Sequence, residues 1–327
     1  MSRPGKRATS TDVARAAGVS QTTVSFVLND RPGQRISEET RQRVLEAAER
    51  LDYRPHGSAR ALAAGRSDVV LLSVPDLPIG AGISRFVEEL AAALAARGLT
   101  LVTHLSGAHG RPLPDVCAAV NASAVIGFES FDPETVQALH RIGADVVLPL
   151  QSDDLHSMQP IGRLQAEHLL ARGHRYLGYA MPAHPGLRPM AEERLQGVRD
   201  ACAAAGIEPP MVLTTSLDLV DAAQAVTQWA AQSVTGVCAF NDETAIAILA
   251  GMHDNGLTAP ADFAVIGSDD IPTARLAIPA LTTIAFDLHA VGRRRAEAVV
   301  ASLSGLQLDQ AALPPVVPPK VIQRAST

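Results

Sequence analysis

The chain has 327 residues, a formal net charge of −6, 47% hydrophobic residues and only 3% aromatic residues, which suits an aliphatic core divided between one small domain and one larger or bilobed domain. No apolar run approaches the roughly 20 residues of a membrane-spanning helix, and the basic N-terminus lacks the apolar stretch of a signal peptide. The three cysteines have no metal-ligand spacing and are expected to be buried thiols in a reducing compartment, so we predict a cytoplasmic protein with no membrane partner and no bound metal.

The first predicted elements are two short helices within residues 11–29, joined by a Gly-Val-Ser turn. Apolar spacing predicts the inward side chains of this pair, Val13, Ala14, Ala17, Val24, Val27 and Leu28. Gly18 suits the left-handed end of the first helix, and Ser20 is a suitable N-cap for the second. The opposite face of the second helix carries Gln21, Thr22, Ser25, Phe26 and Asn29. This arrangement predicts a recognition helix with one face free for a DNA major groove.

Charge supports DNA binding over the simpler interpretation of a packed helical hairpin. Residues 1–66 hold 12 Lys and Arg against 7 Asp and Glu, whereas the rest of the chain holds 16 against 27. A basic head on an acidic body attracts phosphate at the head only. A third amphipathic helix follows, with Ser37 as its cap and with Val44, Ala47, Ala48 and Leu51 on one stripe.

The N-terminal residues resemble a known family. DVARAAGVSQTTVSFVLN, ISEETRQRVLEAAERLDYRP and SARALAAGRS are similar to the LacI/GalR (lactose-repressor/galactose-repressor) family of bacterial transcription regulators. The resemblance implies a helix-turn-helix domain over 1–54 and a hinge over 55–66 that folds on DNA, where Leu62 would wedge into the minor groove. The DNA-binding residues that it implies are Thr9, Ser20, Gln21, Thr22, Thr23, Ser25, Phe26, Asn29, Ala59 and Leu62.

Beyond residue 67 the sequence alternates between strands and helices. The predicted strands are DVVLLSV, TLVTHL, SAVIGF, DVVLPL, YLGYAM, MVLTT, GVCAF and FAVIGS. Predicted helices cover 83–97, 133–142, 192–205, 221–232 and 242–255, with one more containing GRLQAEHLL. This pattern predicts two doubly wound parallel-sheet lobes. The fold class is thus a small all-α helix-turn-helix head plus an α/β body that is periplasmic-binding-protein-like, type I.

We assign 67–158 with 287–318 to the N-terminal effector subdomain, and 159–286 with 319–327 to the C-terminal one. Ligands of such sheets bind at the carboxyl ends of strands. Asn241 and Asp269 each end a predicted strand and should face one crevice. Together with Arg194, they match the residues with which the family grips the polar groups of its effector. Asp242 and Asp270 are interpreted as caps of helices and turns.

Two departures from the family pattern concern specificity. Phe26 stands where members usually carry arginine, so the base pair beneath it should be T·A or weakly specified. Neither VPDLPIGAG nor residues 216–221 contain the aromatic ring that sugar-binding members often stack on their ligand. The effector is therefore left open as a sugar, a polyol or another polar metabolite.

No enzyme motif is present: Gly80-Ala81-Gly82 lacks the third glycine of a dinucleotide fingerprint. We therefore predict a regulator, most simply a repressor, that has no cofactor. It should be a homodimer on a palindromic operator. Three alternatives are an exported solute-binding protein, an enzyme fused to a DNA-binding domain, and a regulator whose effector pocket has degenerated.

Overall fold

The computed structural model of the chain describes residues 8–28, 36–53, 67–106, 110–128, 130–149, 157–306, 313, 315 and 317–327. The helices are α1 (Ser10–Ala17), α2 (Gln21–Leu28), α3 (Glu38–Arg50), α4 (Ala81–Ala95), α5 (Leu113–Val120), α6 (Pro133–Arg141), α7 (Gln159–Ala171), α8 (Arg188–Ala204), α9 (Leu219–Ala231), α10 (Asp242–Asp254) and α11 (Leu288–Leu303). The strands are β1 (Val69–Pro75), β2 (Thr100–Ser106), β3 (Ala124–Gly127), β4 (Val146–Pro149), β5 (Leu177–Pro182), β6 (Met211–Thr215), β7 (Gly236–Ala239), β8 (Ala264–Ser268), β9 (Thr282–Ala285) and β10 (Lys320–Ile322).

The chain divides into two compact units, Met1–Asp68 with Asn121–Ser123, and Val69–Val120 with Ala124–Thr327. In the first unit α1, α2 and α3 enclose a small core. Its buried members are those expected from the apolar spacing, Val13, Ala14, Ala17, Val24, Val27, Val44, Ala47 and Ala48. Gly18 ends α1 in the left-handed region at a φ of 67°, which a residue without a Cβ adopts at no steric cost. The helix-turn-helix prediction is confirmed.

The second unit contains two sheets. The first has the strand order β2-β1-β3-β4 and is parallel throughout. The second has the order β10-β9-β8-β7-β5-β6, in which β5 to β9 run parallel. Helices lie between successive strands, so the doubly wound α/β prediction is confirmed.

The edge strand β10 differs from the prediction of wholly parallel sheets. It pairs antiparallel with β9, with Val321 opposite Ile284. Antiparallel strands commonly occupy the edge of an otherwise parallel sheet. The strand β9, of four residues, and the helices α5 and α11, of eight and 16 residues, were not predicted. The helix α8 begins at Arg188 rather than at 192, since Pro189 in its first turn already has a helical φ.

Two glycines bring α7 and α8 together. A Cβ on Gly162 would collide with the backbone carbonyl of Arg194, and one on Gly197 with that of Gln159. Contact this close is open only to residues without a side chain. The backbone that carries Arg194 is therefore held directly against the neighbouring helix.

Candidate functional site

In the first unit α2 has one buried and one open face. Val24 and Val27 are buried, Gln21 and Thr22 are exposed, and Phe26 is half-buried without joining the head's core cluster. Ser25 is also half-buried. The residues predicted to face DNA therefore lie on the side of α2 that the core leaves uncovered.

Several of the predicted DNA-binding side chains also hold the head together. Thr9 caps α1, because its hydroxyl accepts from the backbone N–H of Asp12 at 3.3 Å while its own N–H donates to the Asp12 carboxylate at 2.9 Å. Ser20 Oγ likewise accepts from the backbone N–H of Thr23 at 3.1 Å. Gln21 Nε2 donates to Ser10 Oγ at 2.6 Å. These bonds fix the start of α2 relative to α1.

Three predicted DNA-binding residues, Asn29, Ala59 and Leu62, lie outside the described residues, as does the hinge over 55–66. Three of the basic residues of the head, Arg3, Lys6 and Arg7, also lie outside the described residues.

The second unit contains a cavity of about 260 Å³, which is lined by residues from helices and loops next to each of the two sheets. Arg194, Asn241 and Asp269, the three residues predicted to grip an effector, all line it. Their polar neighbours in the wall are Ser157, Glu243 and Asp287. The remaining wall is largely apolar, with rings from Phe86, Phe128, Phe240 and Phe286 and side chains from Ile83, Met158, Ile161, Leu187, Met190, Leu288, Val291 and Val317.

Arg194 and Asp269 form an ion pair in the cavity wall. The guanidinium Nη2 lies 3.2 Å from Asp269 Oδ1, and both side chains are close to fully buried. Arg194 Nη1 donates to the carbonyl of Phe240, whose ring lies 4.6 Å below the guanidinium. Burial raises the pKa of Asp269, and the charge of Arg194 acts in the opposite direction. A buried pair with these additional bonds is geometrically fixed.

Asp269 also has an unusual backbone. Its φ is 107° and that of Asp270 is 47°, a region that non-glycine residues rarely adopt and that is often found at binding sites. The two side chains diverge. Asp269 turns to the cavity, while Asp270 pairs with Arg324.

Asn241, and not Asp242, caps the helix that follows strand β7. Asn241 is the N-cap of α10, where its Oδ1 accepts from the backbone N–H of Thr244 at 2.9 Å. Its side-chain oxygen is therefore occupied, and its amide nitrogen, which donates to Glu243 Oε2 at 3.4 Å, has a second hydrogen for the cavity. The interpretation of Asp242 as the cap is wrong. Asp242 is fully buried and accepts from the N–H of Ile271 at 2.9 Å and from the hydroxyl of Thr283 at 2.5 Å.

Burial has a strong effect on Asp242. Burial, together with the smaller effect of the neighbouring charges of Asp269 and Asp270, outweighs the lowering by the bonds from Thr283 and Ile271 and raises the pKa of this carboxyl to about 7. Since desolvation disfavours the charged form, a carboxyl in this position takes up a proton near neutrality.

Sequence reasoning missed Glu243, Asp287 and the four rings. Glu243 Oε1 accepts from the backbone N–H of Ala81 at 3.2 Å, at the N-terminus of α4. A side chain on Gly80 would collide with the Glu243 carboxylate, and one on Gly82 with that of Asp269. The Gly-Ala-Gly segment thus serves close approach between the two walls of the cavity, a role that only contacts distant in sequence define.

Within the described ranges, no group of three or more His, Cys, Asp or Glu side chains is arranged to hold a metal ion. None of the helices in the described part of the chain has the length and apolar character that crossing a bilayer requires.

Comparison with known proteins agrees with this geometry. Residues 9–56 match the family described as "Bacterial regulatory proteins, lacI family", and residues 166–327 match "Periplasmic binding protein-like domain". The transcriptional regulator GalR of Salmonella typhimurium is 31% identical, over 90% of this chain and 89% of its own length. The regulator DegA of Bacillus subtilis is 29% identical over 97% of both chains.

A crystal structure of the Lac repressor dimer, bound to operator and the anti-inducer ONPF, covers 98% of this chain and 99% of its own, with 25% identity and a TM-score of 0.79. The relatives are named as regulators rather than enzymes. The helix-turn-helix head, the two-sheet α/β body and these likenesses together show that the chain belongs to the LacI family of bacterial regulatory proteins, as a ligand-responsive, DNA-binding transcriptional regulator.

Proposed function

We propose that this regulator is a homodimeric repressor that binds a palindromic operator through α2. A small molecule that occupies the cavity either lowers or raises the affinity of the repressor for that operator. The observation that carries the proposal is that Arg194, Asn241 and Asp269 all line one cavity whose walls come from around both sheets. A ligand that binds only one arrangement of the cavity walls increases the fraction of protein molecules that have that arrangement.

On the DNA side, the proposal assigns base contacts to the open face of α2, with Gln21 and Thr22 most exposed. Phe26 on the same face would pack against a thymine methyl. Thr9, Ser20, Thr23 and Ser25 would contact the backbone or base edges, and the excess of basic residues over 1–66 supplies the phosphate attraction. Asn29 is also proposed to contact DNA, and Ala59 and Leu62 belong to the proposed hinge.

On the effector side, Asp269 would accept from ligand donors, Arg194 would orient Asp269 and donate to a ligand oxygen, and Asn241 would donate through its amide. The proposed N-terminal subdomain is 67–158 with 287–318, which is supported by the close contact of Gly292 on α11 with α4. The proposed C-terminal subdomain is 159–286 with 319–327, supported by the pairing of β10 with β9.

The DNA proposal is tested by selecting sites for the full chain from a random duplex library and titrating the selected site. We expect two-fold symmetric sites and a steep fall of log affinity with log salt. Gln21→Ala and Thr22→Ala should each weaken the selected site about tenfold to a hundredfold, since one base contact is worth roughly 1–3 kcal/mol.

The matched control is Gln42→Ala, which removes an exposed amide from α3, away from α2. It should leave operator affinity unchanged. Equal affinity for selected and random DNA across the salt titration would refute the operator proposal. Sites without two-fold symmetry would refute the homodimer.

A further inference from the structure

The loop between β1 and α4, residues 76–82, lies against the second sheet through steric contacts at both of its ends. A Cβ on Gly186, which follows β5, would collide with the backbone carbonyl of Asp76, and one on Gly82 with the carboxylate of Asp269, which follows β8. Contacts this close leave no room for a side chain at either glycine. Any separation of the two cavity walls therefore requires this loop to move away from the ends of β5 and β8.

Glu243 makes a polar contact with the same loop. It follows β7 in the first turn of α10, and its Oε1 accepts from the backbone N–H of Ala81 at 3.2 Å. Its Oε2 accepts from the side-chain amide of Asn241 at 3.4 Å. The bond to Ala81 crosses the cavity, because α4 follows a strand of the first sheet and α10 follows a strand of the second. One carboxylate thus joins a polar residue of one wall to the backbone of the other.

The helix α4 has no cap of its own. Its N-cap is Gly80, which has no side chain to accept a bond, and its first turn contains no acidic residue. The N–H of Ala81 is one of those at a helix start that find no acceptor within the helix, and the helix dipole favours a negative charge there. By contrast, α6 begins with Asp132, which accepts from the N–H of Thr135 at 2.9 Å. The start of α4 is completed by Glu243, from the other side of the cavity.

We propose that Glu243 is a latch between the two walls of the cavity: its carboxylate, docked at the start of α4, holds the loop 76–82 against the second sheet and thereby sets the affinity of the regulator for operator DNA. Glu243 is in this sense a positioning residue, and its link to operator affinity rests on the proposed function. When the bond to Ala81 breaks, the fraction of molecules with separated walls rises, because one of the contacts that favours the closed arrangement is lost.

Two variants break the latch by different routes. Glu243→Ala removes the carboxylate. Gly80→Ala keeps it but places a Cβ 2.5 Å from the position of Glu243 Oε2, so the flexible side chain of Glu243 has to swing away. The φ of Gly80 is −77°, which alanine adopts without strain, and the variant should therefore fold. The matched control is Glu134→Ala, which removes a carboxylate from the first turn of α6, a helix that has its own cap in Asp132.

Amide hydrogen exchange of the full chain, followed at Ala81 by NMR, tests the latch directly. Glu243→Ala and Gly80→Ala should each lower the protection factor of the Ala81 amide about tenfold, because a bond to a charged acceptor is lost, and Glu134→Ala should leave it unchanged. In the double variant, Gly80→Ala should add less than about twofold to the effect of Glu243→Ala, since both act on one contact. Unchanged protection in Glu243→Ala, or effects that multiply in the double variant, would overturn the latch.

Titration of the selected operator, with no small molecule added, separates a latch from a purely local cap. Glu243→Ala and Gly80→Ala should change operator affinity in the same direction and by similar factors, up to about tenfold, because the same bond is coupled to the same equilibrium. Glu134→Ala should not change it. Lost protection at Ala81 with unchanged operator affinity would mean that Glu243 only caps α4, which overturns the latch. If the chain never distinguishes selected from random DNA, the operator proposal fails and the exchange measurement alone decides the latch.

Discussion

The buried carboxyl of Asp242 should make the stability of the second lobe depend on pH. Its pKa is raised from an ordinary value of 3.8 to about 7, with burial as the largest cause. Between those two values the folded protein binds a proton at this group that the unfolded chain does not. The contribution to stability is therefore complete below 3.8 and is lost as the pH rises through 7.

The size of the effect follows from the shift. One pH unit within that window corresponds to about 1.4 kcal/mol, so the whole window is worth about 4 kcal/mol. Asp242→Asn should abolish this dependence. Its amide oxygen can accept from the N–H of Ile271, and its amide nitrogen can donate to the hydroxyl of Thr283, which lies 2.5 Å from the present carboxylate. The variant should thus be folded.

Urea denaturation followed by Trp229 fluorescence measures this lobe directly, because the chain has one tryptophan and its side chain is fully buried in α9. Between about pH 8 and about pH 5, the unvaried protein should gain about 3 kcal/mol more stability than Asp242→Asn.

The hydroxyl of Thr283 gives a second pair of variants. Thr283→Val removes a bond that lowers the pKa of Asp242, so the loss of stability should move to higher pH, whereas Thr283→Ser keeps a hydroxyl and should behave as the unvaried protein. If the unvaried protein and Asp242→Asn have the same pH slope, the carboxyl titrates normally and the reasoning from burial is wrong.

Three further outcomes are expected. Gly162→Ala should push α7 away from α8, displace Arg194 and lower the free energy of unfolding in urea by roughly 1–3 kcal/mol. The control Glu167→Ala, on the exposed face of α7, should change that free energy by no more than about 0.5 kcal/mol. Equal effects of the two variants would contradict the close contact. Thr9→Ala should remove the capping box of α1 and cost the head roughly 0.5–2 kcal/mol, measured by thermal unfolding of helical circular dichroism; no loss would mean that the cap is unimportant. Phe26→Arg should shift the base preferred in site selection towards guanine; a strict guanine already present with Phe26 would contradict its assignment.

The sequence alone determined the helix-turn-helix head and the alternation of strands and helices in the body. The residues that bury α1 and α2 follow from a spacing of three and four positions, and the turn at Gly18 follows from the freedom of one residue. These are local properties, and the sequence predicts them because helix periodicity and turn formation depend on residues only a few positions apart. The same holds for Asn241 and Asp269 at the ends of strands, which parallel topology brings to one edge.

The tertiary structure decided what those strand ends do. Asp269 faces the cavity, as the sequence predicted, but Asp270 pairs with Arg324, 54 positions along the chain, instead of capping the following turn. Both have a positive φ that no local pattern predicts. Asn241 rather than Asp242 caps α10 for a similar reason: Ile271 and Thr283, far along the chain, supply the donors that draw Asp242 inward.

The cavity wall shows the same division. The segments 74–82 and 216–221 contain no aromatic ring, but the wall takes its rings from four other places, Phe86, Phe128, Phe240 and Phe286. Glu243 reaches Ala81 across 162 positions. A binding surface is assembled from residues that the fold makes neighbours, so its composition depends on packing between elements. Local periodicity describes residues within one helix or strand, so it cannot predict how different elements pack together.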